Sequence, residues 1–236
     1  MEWTGEALLI GVRRHGETSV IAEAMVAGRG RYAGLVRGGR SPKLAPALQI
    51  GNTIQVTWRA RLEDHLGTFV VEPLQSRAAE LMADRTRLYL VQLVCDHLRL
   101  LPERDPHDRL LGQALSLLDH APDGAALARF ELALLDELGF GLDLTSCAST
   151  GATTDLTHVS PKSGRAVSRA AAEPFKDRLL KLPSFLHARG NASPDALRDA
   201  FRLTGYFLDR HVWSARQMEY PAIRDGLVEL LSKESH

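Results

Sequence analysis

Five short apolar runs fall within the first 75 residues, and they constrain the fold more than any other feature of the chain. The clearest is Thr53–Arg59, with Ile54, Val56 and Trp58 on one face and Thr53, Gln55, Thr57 and Arg59 on the other. Side chains alternate across a strand with period two, so this segment reads as a strand with one buried face. Ser19–Ala27 repeats the pattern through Val20, Ala22, Ala24 and Val26. Ala7–Val12 is a compact apolar run, Arg31–Arg37 alternates less cleanly, and Leu66–Glu72 is the fifth candidate. Turn-forming residues separate the runs, and Pro73 ends the series. Five strands in about seventy residues predict a small barrel or sandwich. A five-stranded oligonucleotide-binding (OB) barrel and a small SH3-like barrel both satisfy the pattern.

From residue 76 the period changes to that of a helix. Arg85–Leu101 carries Leu88, Val91, Cys95 and Leu98 at spacings of three and four. Cys95 on that stripe is expected to be a core thiol. Leu110, Leu111, Ala114, Leu115 and Leu118 mark a second helix, closed by Pro122. Ala125–Leu138 is apolar nearly all round, as suits a helix buried in a bundle, and Gly139 and Gly141 end it. Asp195 opens the last long helix, which runs through Val212, and Ile223–Leu231 closes the chain. Residues 142–192 are rich in Ser, Thr, Gly and Pro and read as irregular. The expected fold class is therefore α+β: a β-barrel over residues 1–75, then a helical domain over 76–236 with the irregular region 142–192 inside it.

Charge narrows the function. Hydrophobic residues make up 44% of the 236 positions, and the formal net charge is zero, so this is not a protein coated in cation. Up to residue 74 the bases are Arg13, Arg14, Arg29, Arg31, Arg37, Arg40, Lys43, Arg59 and Arg61, against Glu2, Glu6, Glu17, Glu23, Glu63, Asp64 and Glu72. Any polyanion site must be local. The local excess is Gly28–Lys43, which holds Arg29, Arg31, Arg37, Arg40 and Lys43 with no acid, together with several glycines and Tyr32. It reads as a strand running into a mobile basic loop. Cations can track phosphates there, and a ring can stack a base. The competing reading is a solvated glycine-rich loop with ordinary surface arginines, and Arg59 and Arg61 as solubilising edge charges.

Several classes are disfavoured. No apolar run approaches the length of a membrane span. The N-terminus lacks a signal-peptide pattern, and two cysteines make no disulfide framework, so a cytosolic location is expected. Gly28-x-Gly30 is not followed by the Gly-Lys-Ser/Thr of a phosphate loop. Arg14-His15-Gly16-Glu17-Thr18 resembles the histidine-phosphatase signature, in which the His becomes phosphorylated. That family needs a second His, usually followed by Gly. None of His65, His97, His107, His120, His158, His187, His211 and His236 precedes a Gly. A polar hairpin turn is the preferred reading, with an enzyme using His15 as the alternative. Cys147–Gly151, followed by Ser160–Gly164 and Ser168–Ala171, has the outline of a zinc loop without its ligands. A tetrahedral site wants four Cys or His, and only Cys147 and His158 are on offer, so no metal is expected. Ser, Thr and Leu156 would have to hold the loop instead.

Four ordered blocks then become specific: Gly11–Glu17, Gly30–Arg40, Arg129–Leu144 and Val159–Ala166. With this order and spacing, the chain resembles the bacterial RecO family of recombination mediators. The resemblance implies an OB domain followed by a helical domain, with a four-cysteine zinc loop in many members. It implies proteins that are not enzymes, that bind single- and double-stranded DNA and anneal complementary strands. It further implies binding to the acidic C-terminal tail of single-stranded-DNA-binding protein and, with RecR, help in loading RecA. Members act in the cytoplasm, at the nucleoid. Cys147 matches the first zinc ligand, while Thr150, Ser168 and Ala171 stand where the other three would be, so the zinc is expected to be lost. Mapped onto this chain, Arg37, Arg40 and Lys43 are the expected DNA contacts, with Arg31 and Arg59 next. Arg129 is the expected cationic lip for the acidic tail, whereas Arg198 and Arg202 read first as ordinary helix-surface arginines.

Overall fold

The computed structural model describes residues 1–62, 64–77, 81, 84–188, 190 and 192–233. Of the positions considered above, His236, Glu63 and residues 78–80, 82–83, 189 and 191 lie outside that set. The chain forms two compact units, Met1–Ala121 and Pro122–His236.

In the first unit, β1 (Glu2–His15), β2 (Ser19–Val26), β3 (Gly30–Val36), β4 (Thr53–Arg59) and β5 (Thr68–Gln75) close a barrel in the order β1-β2-β3-β5-β4. β3 meets β5 in parallel at Leu35 and Thr68, and the other pairings are antiparallel. This is the OB arrangement. β1 is longer than the apolar run that signalled it. Glu2–Leu8 pairs with β4 and Ala7–His15 with β2, and a register shift between Leu9 and Gly11 lets one strand turn the corner between its two neighbours.

The interior holds Leu9, Ala22, Ala24, Ile54, Val56, Trp58, Phe69 and Val71. The Trp58 indole N–H donates to the Leu66 carbonyl at 3.1 Å, which satisfies its one polar group. β3 turns Gly30, Tyr32, Gly34 and Val36 inward. Tyr32 is therefore in the core, with ring centroids 4.9 Å from Trp3 and 5.5 Å from Trp58, and is no stacking platform for a base. Charged and small neighbours had hidden this alternation. Gly34 is required because a Cβ there would lie 2.6 Å from the Phe69 ring.

Helix α1 (Arg85–Leu98) lies along β1, and α2 (Asp108–Asp119) follows it. The Asp84 side chain caps α1 by accepting from the Thr86 and Arg87 N–H groups. Burial pushes the Cys95 thiol up, as suits the inert core residue expected of it. Arg77, 2% exposed, donates to Asp119 from Nε at 3.0 Å and from Nη2 at 2.7 Å, to the Gly51 carbonyl at 2.6 Å and to the Thr53 hydroxyl at 3.0 Å. A buried guanidinium survives only with its charge and donors satisfied, and here α2 supplies the charge.

The second unit is built on α3 (Gly124–Glu137), α5 (Pro194–Leu208) and α6 (Ile223–Lys233), which pack on one another. A π-helical turn, Asp209–Trp213, extends α5. The region read as irregular contains β6 (Leu156–Val159), β7 (Ala166–Ser168) and β8 (Leu180–Lys181), paired antiparallel in the order β7-β6-β8, with the short α4 (Arg169–Ala172) after β7. Strands of two to four residues are too short to show a period.

Candidate nucleic-acid interface and a cationic cavity

The segment between β3 and β4 is not a loose loop. Its backbone folds into successive turns, with Ala45 N donating to Ser41 O at 2.9 Å and Leu48 N to Leu44 O at 3.2 Å, and Leu48 is seated in the barrel core. From this anchored base Arg37, Arg40 and Lys43 project into solvent. Arg37 and Lys43 have no ion pair among the described residues. The Arg40 guanidinium donates to the Glu17 carbonyl, and its N–H to the Thr18 carbonyl at 3.0 Å. A carbonyl occupies a donor without neutralising the charge. Arg14, not among the expected DNA contacts, is also exposed and has no ion pair among the described residues, and the contacts of Arg40 with the β1–β2 turn bring that turn to the loop.

The structure does not bring Arg31 and Arg59 to this cluster. Arg31 lies at the opposite end of β3, within 3.5 Å of Glu23 and of Glu103, and its Nε donates to the Leu101 carbonyl. Arg59 pairs with Glu2 at 2.9 Å, a full length of β1 away from the β1–β2 turn. Arg29 sits over the Trp3 ring, 4.9 Å from its centroid. His15 is exposed opposite Ser19 at the hairpin end.

A cavity of about 300 Å³ opens between α5 and α6. Phe201, Tyr206 and Tyr220 supply rings, Arg198 and Arg202 supply charge, and Gly205, Asp225, Val228 and Arg224, whose charge is taken up by Glu131, complete the wall. Arg198 pairs with Asp195 at 2.7 Å, while Arg202 is exposed with no such partner among the described residues. Arg129 is not part of this wall. It lies over the Phe185 ring and donates to the Phe185 carbonyl from Nε at 3.3 Å and Nη2 at 3.1 Å.

The loop around Cys147 is hydrogen-bonded. The Ser168 N–H donates to the Cys147 Sγ at 3.3 Å, Cys147 N to the Ala152 carbonyl at 2.7 Å, and Ala148 N to the Ala166 carbonyl at 2.8 Å. Burial pushes the Cys147 thiol up, and the donors of Ser168 and Thr150 outweigh it and hold it at about 6. The four positions offer one thiol, two hydroxyls and a methyl group, which is not a donor set for tetrahedral zinc.

Residues 1–77 match the family described as recombination protein O N terminal, and residues 82–217 match recombination protein O C terminal. The chain belongs to the RecO family. The DNA repair protein RecO of Rhizobium etli is 56% identical over 239 aligned positions, covering 99% of this chain and 93% of that protein. The RecO proteins of Sinorhizobium medicae and Methylobacterium nodulans are 51% and 52% identical, covering 99% and 98% of this chain and 96% and 98% of their own lengths. RecO membership assigns the chain to DNA repair and recombination. Among the described residues no helix is long and apolar enough to cross a membrane.

Proposed function

We propose that this chain is a non-enzymatic recombination mediator of the cytoplasm and nucleoid that binds single- and double-stranded DNA, anneals complementary strands and helps load RecA. The observation that carries this reading is the exposed, unneutralised cluster of Arg37, Arg40 and Lys43 on an anchored loop of an OB barrel. Such cations bind phosphates and read no base, so binding is sequence-tolerant and salt-sensitive. Annealing breaks and makes no covalent bond. It needs two polyanions held close enough to pair, and a cationic loop lowers that repulsion. Complementary oligonucleotides should anneal faster with the protein than without it. The Arg37→Ala/Arg40→Ala/Lys43→Ala variant should lose most of the acceleration; undiminished acceleration would remove the loop from the mechanism. Hydrolysis of a generic phosphoester that disappears in His15→Ala would instead favour the phosphatase reading.

The acidic, apolar-ended tail of single-stranded-DNA-binding protein fits the α5–α6 cavity, where rings lie beside Arg202. Arg129 is a weaker lip because the Phe185 carbonyl already engages its donors. RecR is the second protein partner. The Cys147 loop stands without zinc, on hydrogen bonds alone.

A further inference from the structure

We propose that Arg14, at the tip of the β1–β2 hairpin, is a phosphate contact that completes one cationic rim with the β3–β4 loop. This deepens the DNA-binding reading above and rests on it. Arg14 pairs with Val20, and Val20 with Val36. Residues directly opposite in neighbouring strands point to the same face. Val20 and Val36 point into the barrel core, so Arg14 shares their face where the barrel ends and its side chain reaches solvent.

The basic loop crosses that same end. A Cβ on Gly39 would lie 2.7 Å from Val20 Cγ2, which puts the loop backbone directly over Val20. Arg40 then ties the loop to the hairpin turn through the Thr18 and Glu17 carbonyls. β1 and β3 are separated only by β2, so their backbones are about 10 Å apart. Arg14 and the loop cations thus flank one strip of surface that a sugar-phosphate chain can follow. Glu17 is the acid in the turn, and it is exposed. Arg13 pairs with Ile21 and through it Leu35, which places it on the opposite face of the same strand. The alternation therefore supplies its own control: two adjacent exposed arginines, one facing the rim and one facing away.

The test is fluorescence anisotropy of a labelled oligothymidylate with the full chain over a series of salt concentrations. Wild type is compared with Arg14→Ala, Arg14→Lys, Arg13→Ala and the loop triple variant. One lost single-strand phosphate contact should weaken Arg14→Ala about five-fold at about 0.1 M salt and make the slope of log K against log salt shallower by about 0.7. Arg14→Lys should keep the wild-type slope and Arg13→Ala should stay near wild type. If wild type binds and the triple variant is weakened while Arg14→Ala is unchanged, or while Arg13→Ala and Arg14→Ala are equally weakened, the rim assignment is overturned and loop binding stands. If the triple variant binds as wild type does, the underlying DNA reading fails instead.

Discussion

Arg224 and Glu131 form a two-pronged ion pair inside the second unit: Nε donates to Oε1 and Nη2 to Oε2, both at 2.8 Å. Glu131 is 0% and Arg224 4% exposed. The Thr204 hydroxyl donates to the same carboxylate at 2.5 Å, so α3, α5 and α6 meet at one group. Gly205 makes room, since a Cβ there would lie 2.8 Å from Arg224 Nη1. Removing one partner strands a buried charge. Arg224→Met should therefore cost about 3–5 kcal/mol in denaturant unfolding, and Glu131→Gln/Arg224→Met should recover part of that loss. A single Arg224→Met variant as stable as wild type would show that the pair holds nothing together.

The Arg77–Asp119 clasp predicts where the first unit can be cut. A fragment ending at residue 75 loses Arg77, Asp119 and the α1 helix that lies along β1. It should give no cooperative melt. A fragment of residues 1–121 should melt cooperatively, and Asp119→Ala within it should lower the midpoint, because it leaves a buried guanidinium with no carboxylate.

Three histidines of the second unit make it acid-sensitive. Burial holds His158, His187 and His211 below the ordinary histidine value, and Lys181 and Arg169 push His158 further down. The native state then binds fewer protons than the unfolded chain. Stability is intact above the unfolded value of about 6.5 and falls as pH drops through the lower native values. Thermal midpoints should hold steady above the unfolded histidine value of about 6.5 and decline as pH falls below it. His187→Leu should flatten that decline, because it removes one of the three imidazoles that burial holds down.

Zinc offers a gain-of-function check on the second unit. Wild-type protein purified with zinc present should retain none by elemental analysis, and its melt should not respond to a chelator. The variant Thr150→Cys/Ser168→Cys/Ala171→Cys places four thiols at the positions expected from the family resemblance to hold zinc. It should bind one zinc and melt higher with the metal than without it.

The proposal that the α5–α6 cavity takes an acidic tail is tested by charge reversal. Arg202→Glu should weaken binding of a peptide with an acidic stretch and an apolar C-terminal residue about ten-fold or more, as expected where a like charge is set against the ligand. Arg129→Glu should have a smaller effect. The reverse ranking, read by calorimetry, would move the site to α3.

Local patterns were legible in the sequence and distant partnerships were not. Thr53–Arg59 announces its strand because Ile54, Val56 and Trp58 leave no other periodicity open. β1 showed only its buried middle, since Glu2, Thr4 and Glu6 look like surface even while they pair with β4. Tyr32 among arginines read as a ligand platform, yet it alternates with buried glycines, and Phe69 fills the space that a side chain at Gly34 would need. Nothing local distinguishes Arg31, neutralised by Glu23 and Glu103, from Arg37, which has no ion pair among the described residues. The same holds for Arg77 with Asp119 and for Glu131 with Arg224, whose partners are 42 and 93 residues away. The β1–β2 turn and the basic loop are distant in sequence too, and only the contacts of Arg40 with the Glu17 and Thr18 carbonyls show that they meet.

The most direct test of the account is the salt dependence of single-stranded DNA binding by wild type and by Arg37→Ala/Arg40→Ala/Lys43→Ala, measured between about 50 and about 200 mM salt. Three lost phosphate contacts should make the slope of log K against log salt shallower by about 2. An unchanged slope in a variant that melts as wild type does would contradict the assignment of DNA binding to this loop.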